Sequence, residues 1–520
     1  MNTAVSRAHP RKSHYPLYVL ILCLFVYISS TADRQILAVL AQSVKHDLGI
    51  SDADMGFLLG TAFAVFYAVF GVPAGRLGDL WSRKGLISTG LVIWSAFTAL
   101  SGFAQNFAVL AFCRIGVGVG ESTSSPAIYS ILYDSFTQKW RSTVFAVYSA
   151  GVFIGAGLGM VAGGLIADHW AVWFPVAGTA PFGLKGWQVA FFVIGTPGVF
   201  LALAMARLRE PPRAIQHPID GPTESGVGVL SVLPVFSLVT LARIHGIRGT
   251  AGNMALFGII SLVCYAVYRM TGDRVQWLVL GLGLYCIGSA AQVLRSTDRD
   301  AFERIIASRA MVVGNLGVAG CVFLTTGLMA WLPSYLQRLY GVSAAEAGAF
   351  LGISYVVTGL LGSLLGGAAS DLLSRWVGDR SKLTITLISY LLSIGLTLAI
   401  IAASSLREVY LLCMPLQLTT AMYLGPVAAN VNSLVPQRMR ATASAFYIAT
   451  VVLFGSSMGP YTIGRLSDLF TASGQGSGSA LQLAVKWSLV TAFPTILFLV
   501  FGIRRIDATP ARARQSTPQP

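Results

Sequence analysis

The sequence predicts an all-α membrane protein of two related six-helix bundles, joined by a linker that carries an extra two-helix hairpin. Three observations carry this reading. Residues 49–83 repeat without a gap at 341–375, so that GISDADMGFLLG (49–60) becomes GVSAAEAGAFLG (341–352). Hydrophobic residues make up 55% of the 520 and charged residues only 11%, against about 25% charged in a soluble domain. The apolar runs are also long enough to cross a bilayer, which takes about 20 residues.

Each element follows in order. The first half contains apolar runs at 15–40, 54–78, 85–104, 107–133, 142–167 and 186–207. The basic turns Arg83-Lys84 and Lys139…Arg141 separate the second run from the third and the fourth from the fifth. REPPR (209–213), then Pro218, Gly221 and Pro222, end the sixth run and open a linker, in which 227–244 is expected to form a surface helix. Two further runs, 251–270 and 275–294, predict the hairpin. The second half gives 310–336, 346–371, 383–403, 409–434, 441–467 and 482–502. The repeat continues through it. Gly75, Asp79, Leu80, Ser82 and Arg83 recur 292 residues on as Gly367, Asp371, Leu372, Ser374 and Arg375; Arg141, Ala146 and Tyr148 recur 299 residues on as Arg440, Ala445 and Tyr447. The expected organisation is therefore a tail (1–14), a first bundle (15–207), a linker with hairpin (208–309), a second bundle (310–503) and a tail (504–520). The first run, about 26 residues, is too long for the apolar core of a cleaved signal.

Charge sets orientation and excludes classes. The net charge is +15, and most of the 36 lysines and arginines fall in turns on the side of the N-terminus. That is the positive-inside bias, and it places both termini in the cytosol, in what is expected to be a bacterial inner membrane. The basic residues are scattered over many short turns and form no single stripe, so no nucleic-acid partner is expected. All six cysteines lie within apolar runs and all six histidines in loops or tails, without metal-ligand spacing, so neither a metal nor another cofactor is expected. No phosphate loop or nucleophile elbow is present. Gly116, Gly118 and Gly120, and the every-fourth series Gly151, Gly155, Gly159 and Gly163, read as close helix packing through small residues.

The chemistry must come from charges inside the membrane. Of 21 acidic residues only Asp33 and Glu121 lie deep in a run; the basic residues there are Arg34, Arg114, Arg465 and Lys486. Such residues are expensive, so they face a cavity and have partners. Asp33 and Arg114 are each seven residues from the outer end of their runs, roughly 10 Å deep at 1.5 Å per residue. Glu121 follows Arg114 by seven and lies on nearly the same face, two turns deeper. Arg34 points about 100° away from Asp33 around the helix. The repeat places Thr325 where Asp33 stands, so the acidic site belongs to the first half. A carboxylate out of water favours its protonated form, a neighbouring arginine favours the ionised one, and competition between them couples a proton to an anion. Duplicated halves around such a site mark secondary transporters. In this scheme Glu121 is the main proton acceptor, regulated by Arg114 and Asp33: Arg114 favours ionised Glu121 in one state and pairs with Asp33 or with a substrate phosphate in the other. The competing structural reading is that the charges neutralise one another and fix helix packing.

At the cytosolic turns, Gly75, Asp79, Arg83 and Lys84 after the second run, with Gly367, Asp371 and Arg375 after the second run of the second half and Arg141 and Arg440 opposite them, are expected to form a latch that closes the inner side. Tyr148 and Tyr447 occupy equivalent positions near the cytosolic ends of their runs and suit the head–tail boundary of an amphiphile; helix packing explains them equally well.

These residues carry a resemblance. GRLGDLWSRK (75–84) resembles the signature loop of the major facilitator superfamily, and Arg114 with Gly116, Gly118 and Gly120 resembles that superfamily's fourth-span motif. More narrowly, Asp33-Arg34, GISD (49–52), RIGVGVGES (114–122), Arg141-Ser142 and REPPR (209–213) resemble the spinster family of lipid transporters. Leu80 stands where the signature usually has Arg, and the hairpin is absent from the usual twelve-span plan. The resemblance implies the major facilitator fold and alternating access with export of a lysolipid-like substrate such as sphingosine-1-phosphate, coupled to protons; a monomer in the lipid bilayer is expected. It carries Asp33, Arg34, Arg114 and Glu121 over as the proton and substrate site. A multidrug or organic-anion transporter coupled to protons is the alternative. A membrane-embedded lipid-modifying enzyme would need a nucleophile, metal or acid–base pair at a membrane face, and no loop offers one.

Overall fold

The architecture is helical throughout, with no strand among the described residues. The computed structural model describes residues 14–175, 179–211 and 234–506; the side chains of a few helical residues, Asp79 among them, are outside that description. The expected tails thus fall outside it, except that the last helix runs on to Ile506, as does the linker stretch 212–233.

The first bundle comprises α1 (Tyr15–Val39), α2 (Asp52–Leu59 and Thr61–Leu80, broken at Gly60), α3 (Arg83–Ser101), α4 (Phe107–Glu121 and Ser124–Ser135), α5 (Gln138–Trp173) and α6 (Gly186–Ala206). The hairpin is α7 (Pro234–Thr271) and α8 (Arg274–Thr297). The described part of the predicted surface helix, 234–244, and the first hairpin span merge into α7, across a kink at Gly246, whose φ of 58° breaks the helical run; 227–233 lie outside the described residues. The second bundle comprises α9 (Arg309–Tyr340), α10 (Ala344–Val377), α11 (Ser381–Ala402), α12 (Leu406–Met422 and Leu424–Ser433), α13 (Arg440–Val451 and Met458–Ala472) and α14 (Ser477–Ser488 and Ala492–Ile506). Twelve segments are long and apolar enough to cross a membrane. One of them, Ala344–Ala402, contains both α10 and α11, and α4 is missing only because its break leaves 15- and 12-residue pieces.

Capping residues repeat with the halves. Ser51 and Ser343 each accept the N–H of the residue three on, Asp54 and Glu346, and Asn106 and Ser405 do the same for Val109 and Glu408. These bonds satisfy amides that a helix start leaves orphaned. The register of the repeat then shifts by one residue in α13. A π turn, Val452–Ser456, inserts the extra residue, so Asp468 corresponds to Asp168 and Gly464 to Gly164.

Within the first bundle, α5 lies on α1 through its glycines. A Cβ on Gly155 or Gly159 would strike the carbonyls of Ile28 or Ala32, and one on Gly118 would lie 2.5 Å from the Phe63 carbonyl oxygen. Only glycine permits that approach, which is the packing role expected for both series.

The bundles meet along two seams, α5 with α10 and α2 with α13. The contacts lie in the half of the molecule opposite the termini, here the far half. A Cβ on Gly157 would lie 2.5 Å from the Gly352 carbonyl oxygen, and one on Gly352 the same distance from that of Gly157. Gly56 faces the Pro460 carbonyl oxygen at 2.5 Å in the same sense, and Thr61 Oγ1 donates to the Ser457 carbonyl oxygen at 3.1 Å. Gly71 and Gly367 have open space where a Cβ would go, so the bundles part toward the termini face. The hairpin covers one seam: α8 packs Leu280, Gly283 and Cys286 on Val65 and Val69 of α2 and Leu453 of α13.

Candidate functional site

Four charged side chains lie together inside the first bundle. The break in α4 positions one of them. Glu121 ends the first segment, and Ser122 and Thr123 turn their hydroxyls back to the carbonyls of Val119 and Gly120. Arg114, two turns earlier, and Asp33 on α1 are both buried, with 1% and 2% exposure. Arg114 Nη1 lies 3.6 Å from Asp33 Oδ1. Thr98 of α3 donates to Asp33 Oδ2 at 2.6 Å. Glu121 Oε1 accepts from both Arg34 Nη2 and Ser30 Oγ, while Oε2 has no hydrogen-bond partner in the protein. Arg34 lies over the rings of Phe63 and Tyr67, 4.5 and 5.0 Å from their centroids. A guanidinium stacked on aromatic faces keeps part of its stabilisation without a hydrogen bond.

The arrangement is two ion pairs, Arg114 with Asp33 and Arg34 with Glu121. Helical spacing sets Asp33 level with Arg114, allows Arg114 either Asp33 or Glu121, and turns Arg34 about 100° away from Asp33. In the structure Arg114 takes Asp33, and Glu121 goes to Arg34. The turn of about 100° carries Arg34 from the side of α1 that meets Arg114 to the side that meets the α4 break, and its long side chain spans the rest. Arg34 is also the open edge of the cluster, with 33% of its side chain exposed against 1% for Glu121.

The second bundle has no counterpart charges. The repeat puts Thr325, Thr326, Cys413 and Thr420 where Asp33, Arg34, Arg114 and Glu121 stand. Thr325 there shares a 3.0 Å hydrogen bond with Tyr423, at the matching break of α12.

The other expected residues are placed as follows. Tyr148 is fully buried, stacked on Tyr27 at 4.5 Å and edge-on to Tyr129, so its ring presents no surface to a ligand in this conformation. Tyr447 is partly buried beside the second bundle's core. Among the described side chains, the latch residues do not pair across the seam. Arg83 is buried inside the first bundle, where it binds Asp134 at 2.5 Å, Glu210 at 2.8 Å and Ser130 at 2.9 Å. Lys84 donates to the Leu208 carbonyl, and Gly75 lies against Pro126 of α4. Arg141 donates to the carbonyls of Tyr133 and Phe136, and its equivalent Arg440 to that of Asn432. Asp371 and Arg375 are exposed, and the side chain of Asp79 lies outside the described residues. Arg83, Lys84, Arg141 and Arg440 each take partners from their own half of the chain. REPPR (209–213) supplies one of them. Burial alone would raise the proton affinity of Glu210, but hydrogen bonds from Arg83 and Ser82 outweigh it and hold the carboxyl below its ordinary range.

Sequence reasoning missed the far-face cluster. Arg338 of α9 binds Asp52 with both Nη atoms, at 2.7 and 2.6 Å, and Lys45 and Ser467 bind the same carboxylate at 2.5 and 2.7 Å. The available signal was that Asp52 is a charge present in only one copy of the repeat, with Ala344 in the other.

Comparison with known proteins places these features. The family model described as Major Facilitator Superfamily matches residues 23–460. An MFS-type efflux pump of Mycolicibacterium smegmatis is 27% identical over 485 residues, covering 92% of this chain and 90% of its own length. Protein spinster homolog 1 of Mus musculus is 25% identical over 495 residues, covering 92% and 78%. A sphingosine-1-phosphate transporter of Mus musculus is 24% identical over 482 residues, covering 88% and 71%. Among solved structures, a bacterial homolog of the human lysosomal transporter spinster superposes with a TM-score of 0.68 at 23% identity, covering 95% of this chain and 96% of its own.

Proposed function

Because this chain belongs to the Major Facilitator Superfamily, we propose that it is a proton-coupled transporter that moves an amphipathic, lysolipid-like substrate by alternating access. The observation that carries the reading is the inequality of the duplicated halves. Three charges, Asp33, Arg114 and Glu121, are buried in the first bundle with Arg34 at their open edge, and neutral residues occupy all four matching positions of the second. A polar headgroup belongs with the first bundle and an apolar chain with the second. The name of the sphingosine-1-phosphate relative supports that substrate class.

Arg34 is the group a substrate meets first, since it alone of the four has a substantial exposed surface. An anionic headgroup that engages Arg34 competes with Glu121 for the guanidinium. Glu121 loses its cation inside a low-dielectric site and takes up a proton, for which Oε2 is unpartnered. Release of the anion reverses the exchange. Asp33, held by Arg114 and Thr98, keeps the second guanidinium in place while Arg34 changes partners. With the termini in the cytosol, as the basic turns favour, the parted face opens to the cytosol and the substrate is loaded from that side for export. A second reading, efflux of amphipathic drugs, is favoured by the Mycolicibacterium relative, and it would hold a cationic amphiphile at Glu121.

The test uses purified protein in liposomes with an imposed pH gradient and measures flux of a labelled lysophospholipid beside flux of a cationic dye. Gradient-dependent lysolipid flux supports the proposal. Dye flux without lysolipid flux supports the efflux reading, and flux of neither under a gradient refutes both.

A further inference from the structure

Each bundle reaches across its seam on the far face with one aspartate. Asp168, near the end of α5, accepts the N–H of Ala345 at 2.7 Å, at the start of α10. Asp468, near the end of α13, accepts the N–H groups of Asp52 at 2.9 Å and Ala53 at 2.7 Å, at the start of α2. The two contacts are copies of each other. Ala53 corresponds to Ala345, and Asp468 to Asp168 once the residue inserted by the π turn is counted. Gly164 and Gly464, four residues before each aspartate, bring the backbones together: a Cβ on either would strike the carbonyl of Ala344 or of Asp52. The amides concerned are those that Ser343 and Ser51 leave free, because each serine caps only the amide three residues on. Each helix start thus takes one cap from its own bundle and one from the other.

The copies have diverged in strength. Beyond the Asp468 cap, the α2–α13 seam has the Asp52 carboxylate held by Arg338, Lys45 and Ser467. It also has the hairpin, where Asp273 accepts from Tyr461 at 2.6 Å and pairs with Arg465 at 3.5 Å, and Trp277 packs edge-on against Tyr461. At the corresponding place the α5–α10 seam has Ala344 in place of Asp52, and no hairpin covers it.

We propose that Asp168 is the gate residue of the far face: its release from the start of α10 opens the α5–α10 seam first, while the α2–α13 seam, held by Asp468, the Asp52 cluster and the hairpin, serves as the hinge. This rests on the alternating-access reading above. An N-terminal cap and a two-state equilibrium set the scale. Loss of one cap raises the far-open population about fivefold when the bond exists in one state only.

The experiment measures distances between paired spin labels in protein whose six cysteines are replaced by alanine. One pair, Val172→Cys with Ser404→Cys, reports the α5–α10 side; the other, His46→Cys with Gln475→Cys, reports the α2–α13 side. All four positions are exposed on the far face. Asp168→Ala removes the acceptor, and it is expected to raise the long-distance population of the first pair about fivefold and leave the second unchanged. Asp468→Ala is expected to leave the first pair unchanged. Ala345→Pro removes the donor without touching the aspartate, and proline fits the first turn of a helix, so it is expected to reproduce Asp168→Ala. If Asp168→Ala does not fold, Ala345→Pro decides alone. Equal opening of both pairs, or no response to either variant, overturns the proposal. Equal opening leaves alternating access standing; the absence of any far-open population in all variants and with substrate removes that reading as well.

Discussion

Gly352→Ala should drive the protein out of the conformation described here. The added methyl would lie 2.5 Å from the Gly157 carbonyl oxygen, 0.9 Å inside the 3.4 Å at which ordinary contact begins. The obstacle is backbone on a long helix and cannot swing aside, and Val161 at 2.9 Å blocks the other direction. The helices must separate by nearly that distance. Overpacking of this kind costs about 1–3 kcal/mol. The cost falls only on the state in which α5 and α10 touch at the far half, so the same free energy shifts the balance toward the far-open state about 5- to 150-fold. The readout is the reaction of a water-soluble maleimide with Thr143→Cys, an exposed position ten residues before Phe153 on α5, where the bundles have parted. As the termini face closes, its labelling rate should fall in proportion to the remaining termini-open fraction. Gly71→Ala is the control, because a Cβ there meets nothing within 4 Å and the rate should not change. An unchanged rate in Gly352→Ala, or an equal fall in the control, would refute the reasoning that the two faces open alternately about this contact.

Three further outcomes follow from the same geometry. Arg34→Lys keeps the charge but loses the planar stacking on Phe63 and Tyr67, so half-saturation for an anionic amphiphile should rise about tenfold while Phe63→Leu produces part of that rise; equal affinity in both variants would remove Arg34 as the headgroup contact. Thr98→Val deletes the 2.6 Å hydrogen bond to Asp33 and should weaken transport by about an order of magnitude without lowering the melting temperature by more than a few degrees, measured side by side on the same preparation. Glu210 is held below its ordinary range by Arg83 and Ser82, and a depressed carboxyl contributes stability that is complete above the unfolded value, 4.5, and disappears as pH falls through the lower folded value. The melting temperature of the wild type should therefore exceed that of Glu210→Gln by a constant margin from pH 8 to about pH 5 and converge with it only below; a margin that shrinks between pH 8 and 6 would contradict the assignment.

Much of the fold was legible because the duplication is written in exact residue offsets. The offset of 292 between the first copy's GISD turn and the second copy's GVSA turn places α2 and α10, and that of 299 places α5 and α13. The one-residue insertion in α13 was invisible, since a π turn leaves no compositional mark and becomes clear only when Asp168 and Asp468 are found making the same bond. The site was legible in depth but not in pairing. Counting residues along α1 and α4 set Asp33 level with Arg114, and they lie 3.6 Å apart. The partner of Glu121 depends on which sides of α1 face α3 and α4 and on how far a guanidinium reaches, neither of which a periodicity contains. Contacts between bundles, such as Arg338 with Asp52, were beyond reach for a different reason: their residues stand 286 apart in the chain. The same limit explains Arg83. A basic turn residue tells which side of the membrane it is on, not whether its carboxylate partners come from its own bundle or the other.

The central claim is that Glu121 exchanges Arg34 for a proton when substrate binds. Its most direct test is substrate-driven proton movement across liposomes containing Glu121→Gln, followed with an internal pH dye beside flux of labelled lysophospholipid. Glutamine keeps the shape and an acceptor for Ser30 but cannot ionise. The account predicts that the variant still exchanges lysolipid between the two sides, that this exchange no longer depends on pH, and that substrate addition moves no protons. Proton movement and pH dependence equal to those of the wild type would place the proton site elsewhere and contradict the account.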